Sequence, residues 1–195
     1  MMKKETFWTD AARAGAVIGL VLSASYLVEN WMTLSGSMTL WVLQSLVSLA
    51  VAGVHYYLLH RYTRQRERLY AAEDGFTFMQ GYTFIQIMSI LSGLIVGCTN
   101  FIYIHLIVGY DNYITLTTKA LAEMVRVSGQ SALAQPINQM IAGLQQAEAP
   151  GLIDTLFGGM TSGWLFGAVF GLIIAGVISR KPNLFGTKNT TSDDE

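Results

Sequence analysis

The chain contains little charge, one cysteine and three prolines. Charged residues make up only 13% of its 195 residues, whereas soluble domains average about 25%. Because Cys98 has no second cysteine to pair with, an intramolecular disulfide framework and a cysteine-based metal site are excluded. The histidines at 55, 60 and 105 are scattered, and no metalloprotease, Cys-x-x-Cys or phosphate-loop pattern occurs. The sequence therefore indicates no catalytic residue, no metal site and no cofactor.

Apolar sequence is what the chain has in abundance, with 52% apolar residues and a mean hydropathy of +0.40. Four segments are long enough to cross a ~30 Å hydrocarbon core, which takes about 20 residues. They cover residues 11–31, 38–59, 78–108 and 158–178. We expect an all-α, polytopic membrane protein in which residues 1–195 form a single membrane domain with four transmembrane helices.

The first segment has an alternative interpretation as a cleaved signal peptide. Lys3 and Lys4, an apolar run over 14–22 and the small residues 23–25 follow that pattern. The apolar run continues through residues 26–28, however, and Arg13 lies unusually deep in the segment. These two features favour a membrane crossing.

Basic residues indicate the orientation of the chain. They cluster near the N-terminus, over residues 61–68 and from residue 180 onward, whereas the long connection 110–157 contains only Lys119 and Arg126. The positive-inside rule then predicts cytoplasmic termini and an extracytoplasmic, periplasmic insert over 110–157. We expect residues 181–195 to be a disordered cytoplasmic tail. Four arginines at the inner surface are candidates for contact with lipid headgroups or an anionic ligand: Arg61, Arg64, Arg66 and Arg68.

The insert 110–157 is predicted to contain two short amphipathic helices. Apolar residues recur at helical spacing over 113–127 and again over 133–144, with Pro136 tolerable only in the first turn of the second helix. Gly129 would end the first helix, and Pro150 would end the insert. The two helices would either lie on the outer leaflet and cap the bundle or form a docking surface for a partner protein.

Small residues recur every fourth position in three of the four segments, a spacing that places them on one helix face. In a bilayer such faces let two helix backbones approach closely, as in a glycine zipper. We expect two rows to pack within the chain and the row of the fourth segment to make an external or homo-oligomeric contact. The predicted helix-packing or partner-interface residues are Gly15, Gly19, Gly93, Gly97, Gly159, Gly163, Gly167 and Gly171.

A few polar residues fall within or near the predicted crossings. Asp10 and Arg13 are three residues apart and predict a local ion pair. Glu29 is expected to be hydrated near the outer boundary, and His55 to be a hydrogen-bonded structural residue near the inner end of its segment. Gln44, Gln80, Gln86, Thr99 and Asn100 predict hydrogen bonds between helices, with a polar translocation path as the alternative.

Residues 67–113 resemble the middle of an uncharacterised bacterial inner-membrane family, the domain of unknown function 4199, and the resemblance covers nearly the whole chain, including the basic end of the last segment at 179–185. The resemblance rests on the order of the segments and on a Gly-aromatic-x-x-x-x-Gly pattern formed by Gly75, Phe76 and Gly81. The family has no assigned activity. Its members are often encoded beside polyprenyl-phosphate glycosyltransferases, which implies a small membrane partner for such an enzyme.

Two functions follow as expectations from the sequence and the resemblance. The first is a non-enzymatic accessory or scaffold subunit, possible partner of a polyprenyl-phosphate glycosyltransferase or another inner-membrane enzyme. The second is a small transporter or channel. The expected partners are the lipid bilayer and either a membrane protein or a second copy of the chain. Nucleic acid is not expected because the arginine patch is small and lies at a membrane surface.

Overall fold

Six α-helices account for most of the residues that the computed structural model describes, which are 5–71, 73–128 and 131–181. In chain order they are α1 (Glu5–Leu34), α2 (Met38–Glu67), α3 (Phe78–Ile102), α4 (Tyr110–Ser128), α5 (Ser131–Gln146) and α6 (Leu152–Ile178). A π-helical segment, Tyr103–Val108, continues α3. In these parts of the chain β-pairing is limited to one isolated bridge. The expected all-α fold is confirmed.

Four helices are long and apolar enough to cross a membrane: Thr6–Leu34, Thr39–Glu67, Phe78–Val108 and Leu152–Ile178. Each of the four predicted segments corresponds to one of these helices, although α1, α2 and α6 each extend beyond the apolar segment. Hydropathy locates only the apolar part of a helix, whereas the backbone hydrogen-bond ladder continues through polar residues into the headgroup region. The predicted tail over 182–195, the two N-terminal lysines and the helix end at Gly129 lie outside the described residues.

Helix α3 is central in the bundle, with α1 and α6 packed on it and α2 packed mainly against α1. We call the end that holds the start of α3 and the end of α6 the inner end. The buried apolar core lies toward this end, where Ile18, Leu59, Ile85, Met88 and Ile174 are fully buried. The outer half is less tightly filled.

Helices α4 and α5 form an antiparallel pair at the outer end. Gly109 connects the π-helical segment to α4 at φ 80°, a conformation that favours glycine. Tyr110 donates hydrogen bonds to the carbonyls of Ala147 (3.0 Å) and Glu148 (3.1 Å), which connects the start of α4 to the end of α5. Because α5 begins at Ser131, Pro136 lies beyond its first turn, and the predicted position of this proline is wrong.

The inner end is closed by side chains that connect α1, α2 and the α2–α3 connection. Arg66 donates to Asp10 at 2.6 Å and to the hydroxyl of Thr6 at 3.0 Å, and its guanidinium lies over the rings of Phe7 and Tyr70. The predicted pair of Asp10 with Arg13 is therefore wrong. Arg66 is a buried cation and needs a carboxylate to neutralise it. Asp10 therefore pairs with Arg66 of another helix and not with Arg13, three residues away.

The end of α6 is held at the same place by Arg180. Its backbone exchanges hydrogen bonds with Phe76, at 2.9 and 3.0 Å. Its guanidinium pairs with Glu67 at 2.9 Å and donates to the carbonyl of Tyr70 at 2.8 Å. The contacts of Arg66 and Arg180 thus hold the start of α1 and the end of α6 against the end of α2.

Candidate functional site

The predicted glycines of α3 and α6 lie where the two helices meet backbone to backbone. A Cβ atom built on Gly93 would overlap the carbonyl oxygen of Gly159, and one on Gly163 would overlap that of Ser89. A Cβ on Gly97 would lie 2.6 Å from the carbonyl oxygen of Thr155, closer than real Cβ contacts. Only glycine permits this approach.

The same face of α6 continues toward the inner end. A Cβ on Gly167 would lie 2.7 Å from the Cβ of Ser89, and one on Gly171 would lie 3.2 Å from the ring of Tyr82. The whole row of α6 therefore faces α3 of its own chain. The expected external contact of the fourth crossing is not made through this row, because α3 already covers it.

Helix α1 packs on α3 through a second row of small residues. Cβ atoms on Gly15 and Gly19 would each come within 2.9 Å of a Cβ of α3, at Leu91 and Ile95 respectively. Farther out, Thr99 donates to the hydroxyl of Ser23 at 2.9 Å. Helices α1, α3 and α6 thus form one close-packed layer with α3 in the middle.

Helix α2 does not close the outer half of this arrangement, and a cavity of about 620 Å³ remains between α1, α2, α3 and α6. Its open side lies between α2 and α6, where Gly158, Ser162 and Phe166 are exposed. The lining residues used below are Tyr26, Glu29, Ser48, His55, Gly93, Val96, Gly97, Asn100, Asp154, Gly158, Gly159, Ser162, Gly163 and Phe166.

Polar side chains gather at the outer end of the cavity. Glu29 of α1 accepts a hydrogen bond from Ser48 of α2 at 2.9 Å and is half-buried, and its hydration stays a prediction. Asn100 of α3 accepts from the hydroxyl of Tyr26. Asp154 accepts from the backbone N–H of Gly151 at 3.0 Å, which stabilises the first turn of α6.

His55 lines the cavity from α2, about one turn before residue 59, where the apolar part of the helix ends. It is buried, and its ring packs 6.1 Å from the ring of Phe166 and 5.7 Å from that of Phe170, between centroids. Its Nε2 has no hydrogen-bond partner among the described residues. The hydrogen bond expected for His55 is therefore not made at Nε2, whereas its place about one turn before the end of the apolar part of α2 agrees with the prediction.

Of the three predicted glutamines, two make hydrogen bonds between helices and one caps a helix. Gln44 accepts from Thr33 of α1 at 3.0 Å, which is a bond between helices. With its amide assigned by the hydrogen-bond network, Gln86 accepts from the N–H of Ala168 at 2.9 Å and so connects α3 to α6. Gln80 instead caps the start of α3, where it accepts from the N–H of Thr77 at 2.8 Å.

Arg61, Arg64 and Arg68 are exposed at the inner end, where the sequence places headgroup contacts. Arg66 departs from that expectation, because its side chain is only 5% exposed and is paired with Asp10. In the described ranges no group of three or more His, Cys, Asp and Glu residues could hold a metal ion.

The cavity itself is absent from the sequence predictions. A stripe of residues at four-residue spacing, Asp154, Gly158, Ser162 and Phe166, follows it along α6. This stripe runs beside the glycine row and is small and polar at its outer end, which is the feature that could have indicated the cavity.

The helices and their backbone contacts define a multi-pass α-helical membrane protein with an intramembrane cavity. The chain belongs to the family described as "Protein of unknown function (DUF4199)", whose family model matches residues 13–180. The resemblance drawn from residues 67–113 is thus confirmed at the level of the family. No curated protein and no solved structure matches the chain.

Proposed function

We propose that the chain is a non-enzymatic accessory subunit of an enzyme in the bacterial inner membrane. The exposed face of α5 is the part that contacts the enzyme, and both termini of the chain are cytoplasmic. A polyprenyl-phosphate glycosyltransferase is the enzyme class that the family resemblance suggests. The small-residue rows do not supply the contact surface, because they are used between α1, α3 and α6.

The observation that carries this proposal is the composition of α5. Its 16 residues include no charged side chain, and Pro136, Gln139, Met140 and Gly143 are exposed. Helices exposed to water normally carry charge on that face. Interface cores, by contrast, are depleted of charge and enriched in methionine. This exposed face of α5 is therefore suited to protein contact.

A matched pair of substitutions tests the proposal. Ala142 on α5 and Ala122 on α4 are both exposed. The full chain would be purified from native membranes in mild detergent, as wild type, Ala142→Glu and Ala122→Glu. We expect one enzyme to co-purify with the wild type and with Ala122→Glu, and its yield to fall with Ala142→Glu. Equal recovery with both variants, or recovery of the chain alone, would contradict the docking role of α5.

Substitution of the glycine row is unsuitable for this test. A side chain at Gly167 would overlap Ser89 and approach Gln86 at 3.2 Å within the same chain. Gly167→Leu would therefore disturb the fold itself, and a loss of assembly could not be assigned to a partner.

A small transporter is the second candidate, and the cavity with polar side chains at its outer end favours it. Transport through the cavity would require Asn100 or Glu29 to contact the solute on its way. In proteoliposomes, solute flux that falls with Asn100→Ala but not with Gln44→Ala would support transport, because Gln44 lies outside the lining. Absence of flux for cations, anions and neutral solutes would contradict it.

A further inference from the structure

The cavity has two chemically different ends. Its lining on α6 runs from Asp154 to Phe166, which corresponds to about 18 Å at 1.5 Å per residue. Glu29, Asp154 and Asn100 lie at the outer end, whereas the ring of Phe166 lies at mid-depth. A ligand that fills this space would therefore have a polar group at one end and an apolar body.

The walls between the two ends are smooth. Five glycines contribute backbone and no side chain to the lining: Gly93, Gly97, Gly158, Gly159 and Gly163. Val96 supplies an apolar side chain on the same wall. The volume of about 620 Å³ falls within the roughly 300–1,000 Å³ range of small-molecule sites.

The charge at the outer end is negative. Among the described lining residues, Glu29 and Asp154 are the acidic ones, and neither lysine nor arginine is present. Each carboxylate uses one oxygen within the chain: Oε2 of Glu29 accepts from Ser48, and Oδ2 of Asp154 accepts from Gly151. The second oxygen of each remains available to a ligand. Since like charges repel and opposite charges attract, the two carboxylates disfavour an anionic headgroup here and favour a cation.

We infer that the cavity binds a lipophilic organic cation, such as a quaternary ammonium or phosphonium compound with an apolar body. Its charge lies between Glu29 and Asp154, beside the ring of Tyr26, which also lines the cavity and can contribute a cation–π contact. Its body lies against Val96 and Phe166, and it enters from the lipid between α2 and α6. This inference is independent of the accessory role, which concerns α4 and α5.

Two probes of the same shape and opposite charge test the inference. The full chain would be placed in nanodiscs of zwitterionic lipid, and binding of radiolabelled tetraphenylphosphonium would be measured after subtraction of empty nanodiscs. We expect saturable binding of tetraphenylphosphonium and none of tetraphenylborate. Equal uptake of both ions would overturn the inference, because it would show partitioning without charge selection. This comparison needs no variant.

Isosteric substitutions then test the two carboxylates. Glu29→Gln and Asp154→Asn keep the oxygens that accept from Ser48 and Gly151 and remove only the charge. We expect each to weaken tetraphenylphosphonium binding by about tenfold, as for the loss of one charge-assisted contact, and the double variant to weaken it further. Asp111→Asn, an exposed site on α4, is the matched control and should bind as the wild type does. Unchanged affinity in the double variant would overturn the inference.

A blocking substitution tests the location independently of charge. A Cβ on Gly158 would meet nothing within 4 Å, so the phenylalanine of Gly158→Phe can occupy the cavity without its Cβ overlapping a neighbouring atom. A Cβ on Gly176, near the inner end of the same helix, also meets nothing within 4 Å. We expect Gly158→Phe to abolish binding and Gly176→Phe to leave it unchanged. Binding that survives Gly158→Phe would place the cation elsewhere and overturn the inference.

Discussion

Arg66 of α2 donates a 2.6 Å hydrogen bond to Asp10 of α1, and the two side chains differ greatly in exposure: 5% for Arg66 and 40% for Asp10. Arg66 is thus the buried member of the pair, and Asp10 is the carboxylate that neutralises it. A buried guanidinium without a counter-charge is strongly unfavourable. Helix α1 therefore packs stably against α2 at the inner end only when Asp10 neutralises Arg66.

Loss of the carboxylate charge should therefore destabilise the fold. Asp10→Asn keeps the shape of the side chain but leaves Arg66 without a counter-charge, and we expect the free energy of unfolding to fall by about 1–3 kcal/mol. Asp74→Asn, at an exposed position in the α2–α3 connection, is the matched control. The free energy would be measured by denaturant titration in mixed micelles. Equal effects of the two substitutions would contradict the role assigned to Asp10.

Two glycines of α6 that are five positions apart should respond differently to alanine. A Cβ on Gly163 would overlap the backbone of Ser89, whereas one on Gly158 meets nothing within 4 Å. We expect Gly163→Ala to lower the free energy of unfolding by about 1–3 kcal/mol through overpacking. Gly158→Ala should leave it unchanged or raise it by up to about 1 kcal/mol through helix propensity. The same titration would measure both, and similar losses would contradict the assigned α3–α6 interface.

The four crossings follow from the apolar runs, because a bilayer requires about 20 apolar residues per helix and the chain has four such runs. Other features depend on contacts far apart in sequence, and periodicity carries no information about them. Spacing alone pairs Asp10 with Arg13, whereas its partner, Arg66, lies on another helix. The cavity arises because α2 leaves the outer half of the bundle open, and no local pattern in α2 encodes that arrangement.

His55 should be replaceable by an apolar residue without loss of stability. Its Nε2 is buried and has no partner among the described residues, which costs about 1–3 kcal/mol for a polar group. We expect His55→Leu to raise the free energy of unfolding by about 1 kcal/mol, because it removes this penalty and keeps the apolar contact with Phe166 and Phe170.

The control for this prediction is His60→Leu. His60 is half-buried one turn further along α2, and its ring stacks on that of Tyr56. Its substitution should change stability by no more than about 0.5 kcal/mol. A lower stability of His55→Leu than of the wild type would show that His55 has a bonding partner, and the prediction would then be wrong.

The proposed orientation predicts which side of the membrane each connection faces. In a Cys98→Ser background, cysteine would be introduced at Glu73, in the α2–α3 connection, or at Gln145, on α5; both positions are exposed. Because basic residues cluster at the inner end, Glu73→Cys should be cytoplasmic and Gln145→Cys periplasmic. A membrane-impermeant maleimide applied to intact spheroplasts should label Gln145→Cys directly and Glu73→Cys only after permeabilisation. The opposite labelling would place the uncharged face of α5 in the cytoplasm, so that only a partner on that side could contact it.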